Sequence, residues 1–260
     1  MHSSERLFTC VANPIDVAAY ERDGYALLGK VFDDALIARL IAEEARFANG
    51  PALAAAGNAV EIDVAGASQM PRIRPLSVIT QLMHRCALIR AVAVEGPQIA
   101  ALRSIMGDDI CLTHQQFVTK TPDARTPDVD VPWHQDNGFG QLDPTTDVTV
   151  WFTLNDCTAS SGCLWVVPGS HKRGLLPHVT IGRLRGIAPG GEEGTPLPMR
   201  AGEAVAFSGL LVHGSKANRG NAPRHAFYLR YCEPQTRMVS LGGKPVLEDG
   251  YSWMVSGEAG

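Results

Sequence analysis

Hydrophobic and polar positions follow one pattern in the first third of the chain and another in the rest. In the first third, apolar residues recur at helical spacing, most clearly over residues 34–48, where Asp33 is a suitable N-cap. The same reasoning predicts a helix from Asn13-Pro14 to Arg22 and further helix over 77–105, with a break near Gly96-Pro97. A short apolar run over 25–31 is predicted to be a strand. This part of the chain is therefore expected to be mainly helical.

The rest of the chain contains short β-like runs separated by Gly, Pro, Asn and Asp. The predicted strands cover residues 111–120, 148–154, 163–167, 203–207, 210–215 and 224–232. Many short strands with such turns are typical of a sandwich or a jelly roll, so the fold class is mainly β with flanking helices. Because no Pro/Gly/Ser-rich linker separates the two patterns, we expect a single domain over 1–260. Its expected parts are a helix-rich flank over about 1–108, a β core over 109–234 and a C-terminal extension over 235–260.

Composition narrows the class of protein. Hydrophobic residues make up 45% of the 260 residues and charged residues 19%, which is globular and excludes a disordered chain or a coiled coil. A net charge of −4 gives no basic surplus, so nucleic acid is not the expected partner. No apolar run approaches the ~20 residues that span a membrane. The start of the chain lacks a secretory pattern and the cysteines are scattered, so we expect reduced thiols and a cytoplasmic protein. A homo-oligomer remains open.

The residues with the clearest chemistry are His134 and Asp136, two positions apart. On a strand, residues i and i+2 face the same side, so the imidazole and the carboxylate can converge on one point. His213, in the apolar run 210–215, is the best candidate for a third ligand. Two imidazoles and one carboxylate form the facial triad that suits non-haem Fe(II) and leaves positions open. An ordinary hydrogen-bonded His–Asp pair is the alternative interpretation of the two-residue spacing alone.

Arg224 adds a second kind of group. The turn over 218–223 would bring Arg224 back beside His213 and Ser215 if the strands on either side of it are adjacent. A guanidinium and a hydroxyl can together hold a carboxylate inside a barrel. The alternative is a surface arginine at the start of a strand.

Three segments, taken together and in order, resemble a known family. They are Trp133-His134-Gln135-Asp136-Asn137, the segment 162–172, and His213-Gly214-Ser215 followed by Asn218 and Arg224. Over about residues 111–234 the chain resembles the phytanoyl-CoA dioxygenase family of Fe(II)- and 2-oxoglutarate-dependent oxygenases. The resemblance implies a double-stranded β-helix, which is a cupin-like jelly roll.

The resemblance also implies roles for individual residues. The implied iron ligands, which are also the catalytic residues, are His134, Asp136 and His213. The residues implied to contact 2-oxoglutarate are Arg224, Ser215, Gln116 and Trp151. A register error of one residue on the strand before the motif would turn Gln115 toward the cavity in place of Gln116.

The expected activity is hydroxylation of a small-molecule metabolite, a natural-product or catabolic intermediate, with O2 as cosubstrate and release of succinate and CO2. Halogenating relatives lack the carboxylate ligand, so Asp136 favours hydroxylation, desaturation or ring closure. The candidate substrate-binding residues are Arg72, Arg74, Trp133 and Phe139. Solvated side chains are the alternative for the two arginines. Residues 51–75, rich in Gly and Ala at their start, are a candidate mobile lid.

Two other classes of protein stay open. One is a cupin-like metal enzyme that does not use 2-oxoglutarate, which would have no need of Arg224 with Ser215. The other is a non-catalytic protein that binds a small ligand on the same fold. The complete ligand set argues against it, because a protein without the chemistry has no need of all three ligands.

Overall fold

The computed structural model describes most of the chain. The described residues are 7–48, 59–62, 76–80, 82–122, 130–139, 141–181, 184–188, 191, 193–239 and 253–256. Arg72 and Arg74 lie outside the described residues, as does most of the candidate lid at 51–75, of which 59–62 form a strand.

Four helices and two short 3₁₀ turns are described. The helices are α1 (Val17–Asp23), α2 (Asp34–Ala48), α3 (Ala87–Glu95) and α4 (Gln98–Met106). The 3₁₀ turns are Asp136–Gly138 and Ser170–Arg173. The strands of the first half are β1 (Tyr25–Lys30), β2 (Ala59–Ile62), β3 (Leu76–Thr80), β4 (Ile110–Lys120), β5 (Val131–His134), β6 (Gln141–Asp143), β7 (Val148–Thr153) and β8 (Leu164–Val166). Those of the second half are β9 (His178–Ile181), β10 (Leu184–Ile187), β11 (Thr195–Leu197), β12 (Glu203–Ser208), β13 (His213–Ser215), β14 (Arg224–Cys232), β15 (Arg237–Val239) and β16 (Trp253–Ser256).

The described strands form two main antiparallel sheets. The larger sheet has the order β1-β12-β7-β14-β4-β3-β2, and β16 also pairs with β4. The smaller sheet has the order β11-β8-β13-β5, while β10-β9 and β15-β6 form separate pairs. Neighbouring strands come from distant parts of the chain, as in jelly rolls, so the predicted mainly β, cupin-like jelly-roll fold is confirmed.

The two faces of the larger sheet have different partners. Because successive side chains on a strand alternate between faces, Trp151 and its neighbour Phe152 on β7 point in opposite directions. Phe152 joins the large apolar cluster that includes the helices. Trp151 packs in a second cluster with Leu164 and Val166 of the smaller sheet. The molecule therefore has three layers, and the candidate site lies between the two sheets.

The segment after the candidate lid is a strand, where we predicted helix. Leu76–Thr80 pairs with β4, and only from Ala87 does the chain continue as helix. Its leucine and β-branched residues fit a pleated, half-buried surface, and the neighbouring strand provides the hydrogen bonds that a helix would make internally. The predicted break near Gly96-Pro97 does separate α3 from α4.

The helix boundaries depend on capping side chains. The helix α1 begins at Val17 rather than at Asn13, because the Asp16 carboxylate accepts the N–H of Ala19 at 3.1 Å. Asp33 caps α2 as predicted and accepts the N–H of Leu36 at 2.8 Å. None of the described helices has both the length and the apolar character needed to cross a membrane.

Candidate metal centre

Three elements bring the predicted triad together. His134 is the last residue of β5 and His213 the first of β13, and the two are direct partners in the antiparallel register. Their ring centroids are 4.1 Å apart. Asp136 is the second residue after the strand and begins the 3₁₀ turn. Because the intervening Gln135 is extended, Asp136 lies on the same side of the chain as His134, as the two-residue spacing predicts.

The donor atoms of the triad converge. Asp136 Oδ1 lies 3.8 Å from His134 Nε2 and 3.5 Å from His213 Nε2, and the three candidate donor atoms all lie within 4.8 Å of one another. Each ring turns its other nitrogen to a backbone carbonyl, with His134 Nδ1 at 2.8 Å from Pro132 O and His213 Nδ1 at 2.9 Å from Leu211 O. Since Nδ1 donates its proton there, Nε2 keeps a free lone pair for a metal.

The protonation states suit metal binding. Burial, with the charge of His213 adding to it, lowers the pKa of His134 to about 3, so this imidazole is neutral. Burial alone would raise the pKa of Asp136, but His213, Arg230 and His134 together hold it below its ordinary value. Neutral imidazole nitrogen and ionised carboxylate oxygen form the donor set of a facial triad, so these residues fit a divalent metal such as Fe(II).

The strands on either side of the 218–223 turn are not neighbours, because β13 belongs to the smaller sheet and β14 to the larger one. The predicted pairing that would bring Arg224 back beside His213 is therefore wrong, and Arg224 instead faces the smaller sheet from the larger one. It opens β14, is 1% exposed and donates from Nη1 to the carbonyl of Val118 at 3.0 Å. Its guanidinium carbon is 5.6 Å from the centre of the Trp151 ring. The buried Nε has no hydrogen-bond partner, and no carboxylate in the described part of the chain pairs with the guanidinium. Burial lowers the pKa of Arg224 to about 10, which still leaves it charged at neutral pH.

Lys120 is a second buried cation at this end. It is 1% exposed and is the direct strand partner of Arg224. Its Nζ donates to the carbonyls of Ser215 and Lys216 at 2.8 and 2.7 Å. Burial, reinforced by the charge of Arg224, holds the pKa of Lys120 well below its ordinary value. The lysine thus ties β4 to the strand that carries His213 and Ser215.

Gln116 has the predicted orientation. Its Oε1 accepts the hydroxyl of Tyr228 at 3.1 Å, and His114 Nε2 lies 3.2 Å from the same oxygen. Gln115 points to the opposite face and accepts the N–H of Leu82 at 2.5 Å. The structure therefore resolves the register in favour of Gln116, on the same face of the sheet as Trp151.

The two described substrate candidates differ in position. The Phe139 ring meets His134 edge-on at 5.1 Å and is 48% exposed, which makes it an apolar surface beside the triad. Trp133 packs against Gly194 so closely that a Cβ on that glycine would lie 2.2 Å from Cη2 of the indole. Phe139 is therefore at the triad, whereas the Trp133 ring is held by a neighbouring segment.

Sequence reasoning missed Thr149, Tyr228 and Lys120. Thr149 precedes Trp151 by two residues and donates to Asp136 Oδ2. Tyr228 is the direct strand partner of both Trp151 and Gln116. A period of two, counted from Trp151 and from Arg224, would have placed Thr149 and Tyr228 on the cavity face. Lys120 gave no such signal, since a lysine at a strand end is usually exposed.

Comparison with known proteins identifies the family. Residues 20–226 match the family model described as phytanoyl-CoA dioxygenase (PhyH). The chain belongs to the phytanoyl-CoA dioxygenase family. The peroxisomal phytanoyl-CoA dioxygenase of Rattus norvegicus is 30% identical over 237 residues, which covers 86% of this chain and 69% of the rat protein. The phytanoyl-CoA dioxygenase of Arabidopsis thaliana is 38% identical over 107 residues, 38% of each chain.

Solved structures agree with the fold expected of this family. The non-haem monooxygenase ThoJ, in its apo form, superposes with a TM-score of 0.71 at 21% identity, covering 93% of this chain and 84% of ThoJ. The epimerase SnoN, solved with Fe3+, alpha-ketoglutarate and nogalamycin RO, has a TM-score of 0.71 at 22% identity, covering 92% of this chain and 96% of SnoN. At these identities the likeness establishes the jelly-roll architecture only.

Proposed function

We propose that this protein is an Fe(II)- and 2-oxoglutarate-dependent dioxygenase that hydroxylates a small-molecule metabolite and releases succinate and CO2. The observation that supports the proposal is that a metal-binding donor set and a buried cation both lie between the two sheets. One is the convergent donor set of His134, Asp136 and His213. The other is Arg224, a buried cation with an unpartnered Nε. Membership of the phytanoyl-CoA dioxygenase family supports the same reaction class.

The triad would hold the metal through His134 Nε2, His213 Nε2 and Asp136 Oδ1. Bound Fe(II) and 2-oxoglutarate supply the oxidising chemistry, in which O2 is reduced, the oxo acid becomes succinate and CO2, and the substrate is oxidised. The protein contributes geometry. Both imidazoles are held in the metal-binding tautomer by backbone carbonyls, so little reorganisation is needed when the metal binds.

Arg224 would bind the distal carboxylate of 2-oxoglutarate. A planar guanidinium pairs with a carboxylate through charge-assisted hydrogen bonds, and an incoming carboxylate would offset the cost of burying an unpaired cation. Ser215 would add a hydroxyl, since it lies on β13 two residues after His213. Trp151, whose ring lies 5.6 Å from the guanidinium carbon, and Gln116 would line the path between the carboxylate and the metal.

Phe139 would contact the substrate, because it is the exposed apolar ring next to His134. Roles for Trp133, Arg72 and Arg74 in substrate binding stay predictions, as do the single-domain division, the cytoplasmic location and the oligomeric state. A natural-product or catabolic intermediate is the class of substrate that we propose.

The test needs no substrate. Fe(II) and then 2-oxoglutarate are added to the protein under anaerobic conditions, and the visible iron-to-oxo-acid charge-transfer band is recorded for the wild type, His134→Ala, Arg224→Ala and the control His84→Ala. We expect a band in the wild type and the control, which changes an exposed histidine. The band should be absent from His134→Ala and should need far more 2-oxoglutarate in Arg224→Ala.

The other outcomes distinguish the alternatives. Iron binding without a band would favour a cupin-like metal enzyme that does not use 2-oxoglutarate. Failure to bind iron would favour a non-catalytic ligand-binding protein. An unchanged 2-oxoglutarate requirement in Arg224→Ala would contradict the role of that arginine alone.

A further inference from the structure

The two oxygens of Asp136 have different surroundings. Oδ1 faces the Nε2 atoms of His134 and His213 at 3.8 and 3.5 Å. Oδ2 accepts the hydroxyl of Thr149 at 2.5 Å, a short hydrogen bond to an ionised oxygen. Thr149 is 1% exposed, so water does not compete for this contact. One carboxylate oxygen is thus directed to the metal position and the other is held away from it.

The buried carboxylate of Asp147 helps to position both Thr149 and Asp136. Asp147 lies two residues before Thr149 and accepts Arg230 Nε at 2.6 Å. Its other oxygen accepts Nδ2 of Asn137, the residue after Asp136, at 2.6 Å. Because Asp147 holds the start of β7 and the turn that carries Asp136, Thr149 and Asp136 are set relative to each other.

The strand register adds to this arrangement. Thr149 is the direct partner of Phe207 on one side and of Arg230 on the other, so it occupies an interior position of the larger sheet. Gly209 packs so closely on Asp147 that a Cβ there would lie 2.0 Å from its Oδ2. The Thr149 hydroxyl therefore has little freedom to move away from Asp136.

We propose that Thr149 is a positioning residue that restricts Asp136 to binding the metal through one oxygen. A carboxylate can bind a metal through one oxygen or through both. Binding through both would use a position that the facial triad otherwise leaves for a chelating cosubstrate and dioxygen. By occupying Oδ2, Thr149 keeps that position open. This inference rests on the proposed function, since it assumes that the triad binds a metal.

The chain offers a matched control in Thr153. It lies on the same strand and the same face as Thr149, is fully buried, and donates its hydroxyl to the backbone carbonyl of Asn155 at 2.5 Å. Thr149→Val and Thr153→Val therefore remove the same atom from similar buried positions. Only the first removes a partner of Asp136. Thr149→Ser keeps the hydroxyl and loses only a methyl group.

The experiment uses Co(II), whose absorption spectrum reports coordination geometry. Cobalt affinity, the visible spectrum and the 2-oxoglutarate affinity of the cobalt-loaded protein are measured for the wild type and the three variants. For Thr149→Val we expect the cobalt spectrum to change and 2-oxoglutarate to bind about 10–100-fold more weakly, while cobalt stays bound because the second oxygen becomes a further ligand. Thr149→Ser should restore the wild-type spectrum and 2-oxoglutarate affinity, and Thr153→Val should match the wild type.

Three results would overturn the inference. One is a Thr149→Val protein with the wild-type spectrum and 2-oxoglutarate affinity. Another is an equal change in Thr153→Val, which would point to a general effect of cavity formation in the strand. The third is a wild-type chain that binds no cobalt, which would also overturn the metal site on which the inference rests.

Discussion

The triad and the Arg224 region lie between the same two sheets but are prepared for their ligands in different ways. At the triad, every supporting contact is already made: each histidine has its Nδ1 against a carbonyl, and Asp136 has Thr149 on its second oxygen. At the other region, Arg224 is buried with an Nε that has no partner.

This difference concerns where the free energy of ligand binding comes from. The triad gains from preorganisation, because its donor atoms are set before a metal arrives. The Arg224 region is a destabilising element of the unliganded protein, since a buried unpaired cation costs several kcal/mol that an arriving anion offsets. We therefore expect substitutions at the two regions to have opposite effects on the stability of the protein without ligands.

The largest expected effect is the loss of the metal in Asp136→Ala. Removing a ligand should weaken metal affinity by more than the ~100-fold that marks the upper end for residues behind the ligands. Metal content after dialysis against Fe(II), and cobalt titration, measure the loss. Asp130→Ala, which changes an exposed aspartate near β5, is the control and should retain the metal. Stoichiometric metal in Asp136→Ala would contradict the ligand assignment.

Arg224→Met should separate stability from binding. Replacing a buried unpaired cation with the unbranched apolar side chain of methionine should raise the free energy of unfolding of the ligand-free protein by about 1–4 kcal/mol. In the metal-loaded wild type, 2-oxoglutarate at 100 times its dissociation constant should add about 2.7 kcal/mol, and in the variant almost nothing.

Urea denaturation with and without metal and 2-oxoglutarate measures both quantities for Arg224→Met. A variant that is less stable than the wild type without ligands would show that Arg224 is a structural group and that the two regions do not differ as described.

How far the sequence predicts this arrangement depends on how local each feature is. The triad could be predicted because His134 and Asp136 share one short segment and His213 stands out in an apolar run. A period of two counted from Trp151 predicts the face on which Thr149 lies, but not its contact with Asp136. That contact and the role of Lys120 depend on which strands become neighbours, and the sheet order decides this. The strand at 76–80 was predicted to be helix for a similar reason. It forms a strand because β4 offers backbone groups for it to pair with, and the local sequence does not show that β4 will be its neighbour.

The smallest expected effect is a pH dependence of the free energy of unfolding that comes from His114. Burial lowers the pKa of His114, which lies against Gln116 on the cavity face. Below about pH 6.5 His114 is protonated in the unfolded chain but stays neutral in the folded protein. The free energy of unfolding therefore falls as the pH falls, by up to about 1.4 kcal/mol per pH unit. Above that pH neither state is protonated and the contribution disappears. His114→Gln should remove this part of the acid sensitivity.

Urea unfolding at pH 7.5 and pH 5.5 tests the sign of this effect. Between the two pH values the wild type should lose more free energy of unfolding than His114→Gln, while His84→Gln, which changes an exposed histidine, should match the wild type. Equal losses in wild type and His114→Gln would mean that the imidazole at 114 accepts a proton in the folded protein. The environment of His114 and Gln116 would then accommodate a positive charge. Only the three metal ligands and Thr149 would be preorganised in that part of the site.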